Sequence, residues 1–464
     1  MAVDPRRTAL GLGRFGLGAR PGDLALGEPV EEALRREILA GTVPLPGGPD
    51  LAPAPTLLTA LQAEEQGRKL ARAGSPDAPM PEGPPAPPIQ ERVYRAEVTA
   101  RLALAQAAPL GFVERLVWFW ANHFTVSVAR GPRLRVSAGA FEREAIRPNV
   151  LGRFRDLLLA AATHPAMLIY LDNVASVGPN SPAGQRKGPG PGKGLNENLG
   201  RELLELHTLG TEGGYTQADV TALARILTGW SLQRDGNAEG LPGTTTFRRG
   251  AHEPGAVTLL GRTYLDVGPG QLRMALDDLA VHPATARHVA LRLARHFVAD
   301  DPPPALVARL ARTFLDQDGD LSRLALALIE APEAWDPVQR KIRSPQEFLV
   351  AAMRGLSLAP DPRMVDPRMV MGALAALGQP YWSAPAPNGY PDEAGAWASP
   401  EGLHARLDLA ARTGQLAAAT DPTAFADAVL GPLATDETRT AIRRAESRAQ
   451  AIALVLMAPE FQRR

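Results

Sequence analysis

The sequence predicts a mainly α-helical protein, a multi-helical single body with long Pro/Gly-rich loops and a minor β hairpin. Hydrophobic side chains recur at helical spacing over most of the chain. The 44 prolines and 44 glycines cluster between these stretches, a pattern typical of ordered helices joined by long loops. With 464 residues and 45% hydrophobic content, the chain can bury a large core.

The helices follow one another along the chain. Periodic hydrophobic residues indicate helices at residues 89–108 and 111–124. A further helix is expected to begin at a capping box of Thr216 and Asp219, whose side chains can satisfy the amides of a first helical turn. Three later helices are expected at residues 284–298, 306–314 and 321–329.

Segments rich in Pro and Gly interrupt the helices without dividing the chain. Residues 74–88 are predicted to be an internal Pro-rich linker, and residues 178–194 a flexible Gly/Pro loop. Residues 383–395 form a third irregular segment. None is as long as a linker between independent domains, so a single domain over residues 1–464 is expected. The minor hairpin is expected within residues 244–264, where TTTF and VTLLGRTY flank the turn-like GAHEPG.

Composition excludes several classes of function. Lys+Arg and Asp+Glu each number 50, so net charge favours neither nucleic acid nor an anionic membrane as partner. The chain has no cysteine, which excludes disulfides and thiolate metal ligands. No apolar window is long enough to span a bilayer, and Arg14 interrupts the weakly apolar N-terminal stretch. We therefore expect a soluble, cytoplasmic protein without a membrane span. The sequence also has no Walker-type phosphate loop, no GxGxxG following a strand, no HExxH and no GxSxG pattern.

A long central stretch carries a recognisable pattern. Residues 196–230 read NENLGRELLELHTLGTEGGYTQADVTALARILTGW, with VWFWANHF at 117–124, HEPGAVTLLGRTY at 252–264 and KIRSPQEFLVAAMRGL at 341–356. Together these segments resemble the family known as domain of unknown function 1800. The resemblance carries no established activity. It implies a sulfatase-like protein as a possible partner, because genes of this family are often found beside those of such proteins. The chain departs from the family pattern at Tyr390, where a tryptophan is expected.

Helix 196–209 concentrates polar side chains on one side. On a helical wheel of about 100° per residue they share an arc of roughly 140°. These residues are Glu197, Asn198, Arg201, Glu202, Glu205 and Thr208. The arc fits a solvated face in which Glu197, Arg201 and Glu205 form a ladder of ion pairs. It also fits a cleft in which Glu197, Glu202 and Glu205 act as metal ligands or a general base, while Arg201 binds an anion.

Three histidines are the candidate metal ligands. His207 lies on the apolar stripe of helix 196–209, where a histidine is usually a satisfied core residue. A metal site there needs ligands from elsewhere, and the best candidates are His123 and His252, the latter on a predicted turn. With the glutamates, these side chains would suit a divalent or transition metal such as Zn, Mn or Fe. His288 and His296 are interpreted as surface or boundary residues of a basic helix.

Aromatic and amide side chains complete the predicted site. Trp118 and Trp120 either pack between helix layers or form the apolar wall of a pocket with Asn122 at its polar end. The remaining candidate substrate-binding residues are Asn196, Asn198 and Trp230, and Arg225 is a second anion-binding candidate beside Arg201.

The leading hypothesis is an enzyme with a Glu/His/Arg cleft centred on helix 196–209, in which a divalent or transition metal ion would be the cofactor. The alternative is a non-catalytic helical scaffold that binds a protein partner. The enzyme hypothesis requires the histidines to converge with the glutamates, and the scaffold does not.

Overall fold

A computed structural model of the chain describes residues 3–73, 86–187, 194–234, 240–358 and 366–464. Most of the predicted linker 74–88 therefore lies outside the described residues. Of the predicted loop 178–194, residues 188–193 lie outside them, and Pro182–Lys187 form a short helix.

Within the described residues the fold is mainly α-helical, as predicted. The helices of the first half are α1 (Pro5–Arg14), α2 (Val30–Leu39), α3 (Ala54–Ala73), α4 (Ile89–Ala107), α5 (Phe112–His123), α6 (Pro132–Phe141), α7 (Phe154–Thr163), α8 (Pro165–Tyr170), α9 (Pro182–Lys187), α10 (Asn198–Glu202) and α11 (Gln217–Leu227). Those of the second half are α12 (Gly270–Ala280), α13 (Pro283–Phe297), α14 (Pro304–Asp316), α15 (Leu321–Glu330), α16 (Pro345–Gly355), α17 (Pro367–Ala376), α18 (Ala394–Trp397), α19 (Pro400–Leu416), α20 (Pro422–Val429), α21 (Asp436–Arg443), α22 (Arg448–Met457) and α23 (Pro459–Gln462). No described helix is both long and apolar enough to cross a membrane.

Proline starts many of these helices rather than only marking loops. Its fixed φ suits the first helical position, and its missing N–H would find no partner there anyway. Helices that begin at a proline include α13, α14, α16, α17, α19, α20 and α23. The predicted capping box is confirmed, since Thr216 and Asp219 each bond to the other's backbone amide at the start of α11.

The β structure differs from the predicted hairpin. β1 (Trp230–Leu232) pairs with β2 (Thr245–Phe247), and β3 (Val257–Leu259) pairs with β4 (Arg262–Tyr264), both antiparallel. The TTTF segment thus pairs with the earlier strand β1 and not with VTLLGRTY, which forms a hairpin by itself. Leu260 and Gly261 explain this, because both have positive φ and form the two-residue turn whose twist suits a tight hairpin.

Two large hydrophobic clusters and a small one of Ala384, Tyr390 and Trp397 form the interior of the described residues. The larger cluster draws on buried residues from Leu10 to Tyr381, and includes side chains of α4, α5 and α13. The smaller cluster joins Phe348 to side chains of α19, α20 and α22 and to Phe461. Helix α16 contributes to both clusters, so it connects the C-terminal helices to the main body.

Candidate functional site

The predicted glutamate arc is a surface network between α10 and α11. Arg201 lies 3.5 Å from Glu197 and 3.2 Å from Glu205, and its side chain is 38% exposed. Glu197 also accepts hydrogen bonds from Thr221 and Gln217 of α11, at 2.6 and 2.8 Å. Exposed pairs of this kind contribute a few tenths of a kcal/mol each. Of the two predicted arrangements, the solvated ladder of ion pairs and the cleft, the geometry therefore matches the ladder.

The other polar candidates of this region also lie near the surface. Burial raises the pKa of Glu202, which is half-buried. Asn196 precedes α10, and its side-chain oxygen accepts a hydrogen bond from the amide of Asn198 at 2.9 Å. Asn198 and Arg225 are exposed. These residues do not line a common cleft with Trp118 or Asn122.

A π-helical turn explains why the helical wheel fails at the end of this segment. Helix α10 ends at Glu202, and residues Leu203–His207 continue as a π-helix. A π turn holds more residues than an α turn, so side chains beyond Leu203 are rotated away from their positions on a 100° wheel. Thr208 consequently points inward, is fully buried, and donates a hydrogen bond to the carbonyl of Leu203 at 2.6 Å.

His123 and His288 satisfy the carbonyls at the end of that turn. His123 Nε2 lies 3.1 Å from the carbonyl oxygen of His207, and His288 Nε2 lies 2.9 Å from that of Leu206. A carbonyl only accepts, so both histidines carry their proton on Nε2. Helix C-termini leave such carbonyls without intrahelical partners, which gives these two histidines a structural role.

His207 is close to both but has no such partner. Its ring centroid lies 5.9 Å from that of His123, and neither of its ring nitrogens has a hydrogen-bond partner among the described residues. Burial, followed by the charges of His288 and Arg292, lowers the pKa of His207 to about 3. His123 and His207 are therefore neutral at physiological pH.

His252 lies in a different environment from this pair. Its Nδ1 donates to the carbonyl of Thr228 at 2.8 Å, and its Nε2 is 3.7 Å from Asp266. The neighbouring Glu253 accepts hydrogen bonds from Asn180. Among the described residues, no group of three or more histidine and carboxylate side chains is arranged to hold a metal ion. The structure thus brings His123 and His207 together, but not His252 or the glutamates.

The three tryptophans predicted to bind substrate also lie in different places and do not form one site. Trp120 is 1% exposed and packs among Phe119, Phe124 and other rings of the core. Trp230 packs edge-on against Phe247 in the β1–β2 pair. Trp118 points to the other side of α5 and, with Asn122, lines a cleft.

This cleft is the best candidate site in the described part of the chain. It lies where α4, α5, α13 and α16 meet the segment 379–397, and its cavity volume is about 70 Å³. We name it the aromatic cleft after four of its lining side chains. They are Trp118, Trp382, Tyr390 and Trp397. The polar atom of each ring is bonded within the protein, so the rings offer mainly apolar surface.

Arg101 projects into the aromatic cleft from α4. Its guanidinium carbon lies 4.8–5.5 Å from the ring centroids of Trp118, Tyr381 and Trp382, a cation–π arrangement. Its Nε is 2.8 Å from Glu142, and its Nη1 donates to Gln346 at 3.1 Å. No described residue accepts a hydrogen bond from its Nη2, which is therefore available to a ligand.

Buried ion pairs support this wall of the cleft. Arg147 is completely buried and lies between Glu114 and Glu142, at 2.7 and 2.9 Å. Glu142 is the first residue of another π-helical turn, Glu142–Ile146, which lies earlier in the chain than Leu203–His207. Its carboxylate links Arg147 to Arg101. The arginine charges and hydrogen bonds outweigh burial and lower the pKa of Glu142. Each charge is compensated by more than one partner, as low-dielectric surroundings require.

A second network forms the floor. Glu347 of α16 lies between Arg115 and Arg464, at 2.7 and 2.9 Å. Burial alone would raise the pKa of Glu347, but the two arginines hold it far below its usual range. Arg464 also donates to the carbonyl of His296 at 2.8 Å, so the last turn of the chain is tied to α13.

His296 and Asp392 form a hydrogen-bonded histidine–carboxylate pair that lines the aromatic cleft. His296 Nδ1 is 2.7 Å from Asp392 Oδ1, and their side chains are 13% and 12% exposed. Burial lowers the pKa of His296 despite the carboxylate. Burial would raise the pKa of Asp392, but the charge and hydrogen bond of His296 lower it to about 2. The carboxylate thus orients a neutral imidazole.

Asn122 fastens the loop that carries Asp392. Its Nδ2 donates to the carbonyl of Tyr390 at 2.9 Å, and its Oδ1 accepts from the amide of Tyr390 at 2.7 Å. Gly389 has φ +80°, and a Cβ at that position would overlap the carbonyl oxygen of Asn122. Tyr390, where the sequence departs from the family pattern, still fills the cleft wall and donates to the carbonyl of Pro380 at 2.6 Å.

Sequence patterns alone missed most of this site. Arg101, Glu347 and Arg464 are charged residues, which local patterns place at the surface. His296 was assigned to the surface or boundary, and its partner lies 96 residues away in the chain. Of the candidate substrate-binding residues, Trp118 and Asn122 line this cleft, and the concentration of aromatics in VWFWANHF was the available signal.

Comparison with known proteins adds one match. A family model described as "Protein of unknown function (DUF1800)" matches residues 11–463. No curated protein and no solved structure gives a significant match. Since the match spans almost the whole chain, including the His296–Asp392 pair, the protein belongs to the DUF1800 family.

Proposed function

We propose that the protein is an enzyme that carries out acid–base chemistry in the aromatic cleft, with His296 as the general base. The observation that carries this proposal is the 2.7 Å hydrogen bond between His296 Nδ1 and Asp392 at the cleft surface. A carboxylate on one ring nitrogen fixes the tautomer, so the other nitrogen keeps a lone pair for a substrate proton.

The surrounding charges suit a neutral base. Arg115 Nη2 lies 3.3 Å from His296 Nε2, a long contact that disfavours protonation of the ring. Glu347 holds Arg115 in place. A substrate donor would replace Arg115 at Nε2, while the free Nη2 of Arg101 and the amide of Gln379 would hold the substrate's oxygen atoms.

The size of the cleft limits what can react there. A volume of about 70 Å³ accommodates several water molecules. We therefore infer that a small polar group of the substrate, such as a hydroxyl, carboxyl or amide, enters, while the aromatic rings pack against its carbon skeleton.

Substitution of the base tests the proposal. A panel of ester, amide, phosphate-ester, sulfate-ester and glycoside substrates would be assayed with the wild type, His296→Gln and Asp392→Asn. General-base loss is expected to reduce turnover by about 100-fold or more. The matched control is His404→Gln, because His404 also faces an aspartate, Asp408 at 3.7 Å, but is 75% exposed. Equal turnover by His296→Gln and His404→Gln would contradict the assignment.

This proposal moves the enzyme centre away from helix 196–209, where the glutamates form a surface ladder. The metal site at His123, His207 and His252 stays a prediction, as does the cytoplasmic location. Elemental analysis of the purified wild type beside a still-folded His207→Ala variant tests the metal prediction.

A protein-binding scaffold is the second candidate, and one surface feature favours it. Leu403 and Leu407 lie one turn apart on α19 and are 43% and 51% exposed. Apolar side chains adjacent on an exposed helix face are typical of protein contacts. A sulfatase-like partner should then bind the wild type and lose affinity for Leu403→Ser/Leu407→Ser in isothermal titration calorimetry.

A further inference from the structure

A second cleft lies on the other side of the loop that carries Asp392. It is lined by Arg292 and Arg295 of α13 and by residues 385–386 and 388–393, and its volume is about 390 Å³. It shares Tyr390, Pro391 and Asp392 with the aromatic cleft. This volume falls in the range of about 300–1,000 Å³ typical of small-ligand sites.

Arg292 is the unusual residue of the second cleft. It is partly buried, and its Nε is inaccessible to water and has no hydrogen-bond partner. Within the described residues no carboxylate lies within ion-pair distance of it, and no hydrogen bond from its guanidinium is made. Burying a cation costs free energy unless a counter-charge compensates it. The fully buried arginines of the described residues all have carboxylate partners or carbonyl acceptors.

Among the described residues, the groups that face Arg292 make no close ion pair with it. His123, His207 and His288 are neutral, and the charge of Arg292 helps to lower the pKa of each. Asp392 is negatively charged and feels the charge of Arg292, but it lies beyond ion-pair distance, and its Oδ1 accepts a hydrogen bond from His296. Arg295 adds a second positive charge, and its own contact with Glu393 is loose, at 3.8 Å.

We infer that the second cleft binds an oxyanion, a phosphate, sulfate or carboxylate group, through Arg292. The planar guanidinium presents paired donors that match such oxygens, and the guanidinium of Arg295 lines the same space. The exposed amide of Asn388 can supply a further donor. This site goes beyond the proposed acid–base function and does not depend on it, because His296 does not line the second cleft.

Titration with simple anions tests the inference. Isothermal titration calorimetry at low ionic strength would measure inorganic phosphate, sulfate and malonate separately, which distinguishes tetrahedral anions from carboxylates. We expect the wild type to bind at least one of them, and Arg292→Gln to bind it about tenfold more weakly or worse. The matched control is Arg287→Gln, which removes the same charge from an exposed position of α13 and should bind as the wild type does.

Three further measurements make the result decisive. Arg292→Lys retains the charge without the planar donors and should bind with intermediate affinity. Circular dichroism checks that each variant is folded. His296→Gln should bind the anion normally, so a failure of the acid–base proposal is seen separately. Equal affinity of Arg292→Gln, Arg287→Gln and wild type, or no binding of any of the three anions by the wild type, overturns the inference.

Discussion

His207 combines full burial with two unpartnered ring nitrogens, and this makes it a liability in acid. Its ring is 1% exposed, and burial lowers its pKa to about 3. In the unfolded chain a histidine has a pKa of about 6.5. The unfolded state therefore binds a proton that the folded state excludes. The corresponding stability is fully present above about pH 6.5 and is lost as pH falls towards 3.

We predict that His207→Phe makes the protein less sensitive to acid. Phenylalanine keeps the ring and removes the titrating nitrogens, so unfolding free energy at pH 7 should not fall. Below pH 6.5 the unfolding free energy of the variant should rise relative to that of the wild type by about 1.4 kcal/mol for each pH unit. Urea unfolding between pH 4 and 8 measures this, with His404→Gln as an exposed control. Parallel loss of stability in wild type and variant would show that His207 is not the titrating group.

Sequence patterns predicted the character of single residues only when neighbours in the chain determine it. Thr216 and Asp219 are three residues apart, and their capping box is confirmed. The apolar stripe predicted a buried, satisfied His207; the residue is buried, but neither ring nitrogen has a hydrogen-bond partner among the described residues. The pairing of His296 with Asp392 depends on the meeting of α13 with a distant loop, and no local pattern encodes it.

At the scale of elements, the loop 385–393 separates two clefts. Gly389 is central to it, because its φ of +80° is unfavourable for other residues and a side chain would overlap Asn122. The two hydrogen bonds between Asn122 and the backbone of Tyr390, one donated by each residue, then help to set the position of Asp392.

We predict that Gly389→Ala displaces this loop. The expected cost is about 1–3 kcal/mol of unfolding free energy from backbone strain and overlap, together with loss of activity in the aromatic cleft. Gly395→Ala is the control from the same segment, since a Cβ there meets nothing within 4 Å. Urea unfolding and tryptophan fluorescence would measure both variants, because Trp118, Trp382 and Trp397, three of the six tryptophans, line the aromatic cleft. A stable, unshifted Gly389→Ala would contradict the assigned role of the glycine.

Helices were predictable where their hydrophobic period is regular. Predicted helices 89–108 and 111–124 correspond to α4 and α5 within one residue at each end. Helix 196–209 was predicted as one regular helix, and the π turn at Leu203–His207 breaks that regularity. A hairpin lies within the predicted segment, but its pairing differs, because Leu260 and Gly261 adopt positive φ and form the turn inside VTLLGRTY instead of at GAHEPG.

For the whole molecule, charged side chains inside the body join its parts. Arg464 contacts Glu347 of α16 and carbonyls of α13, and its backbone pairs with Lys341. This C-terminal residue thereby fastens the smaller hydrophobic cluster to the larger one.

We predict that Arg464→Gln destabilises the protein by about 3 kcal/mol, because Glu347 loses one of its two buried partners. The C-terminal helices α19 and α22 should show faster amide hydrogen exchange before the rest of the chain does. Arg463→Gln is the adjacent control, since Arg463 is exposed. Equal unfolding free energies for the two variants would refute the role of Arg464.

The fold class was predictable for the whole molecule, while the buried charges were not. Hydrophobic periodicity and punctuation by proline and glycine are local and indicate many helices. The aromatic cleft draws Arg101, Glu347 and Arg464 from distant parts of the chain. Sequence patterns treat such residues as solvated, because burial of a charge becomes favourable only when the tertiary fold supplies its partners.

The histidines that donate to the carbonyls of the π turn also offer an NMR signal that reports on this turn. His123 and His288 each hold a proton on Nε2 in a hydrogen bond to a carbonyl, and the interior shields that of His123 from exchange with water. The imidazole N–H resonance of His123 should therefore survive in proton NMR spectra recorded in water, well downfield of the amides. Disappearance of this resonance during a titration with urea would mark the opening of this turn before global unfolding is visible.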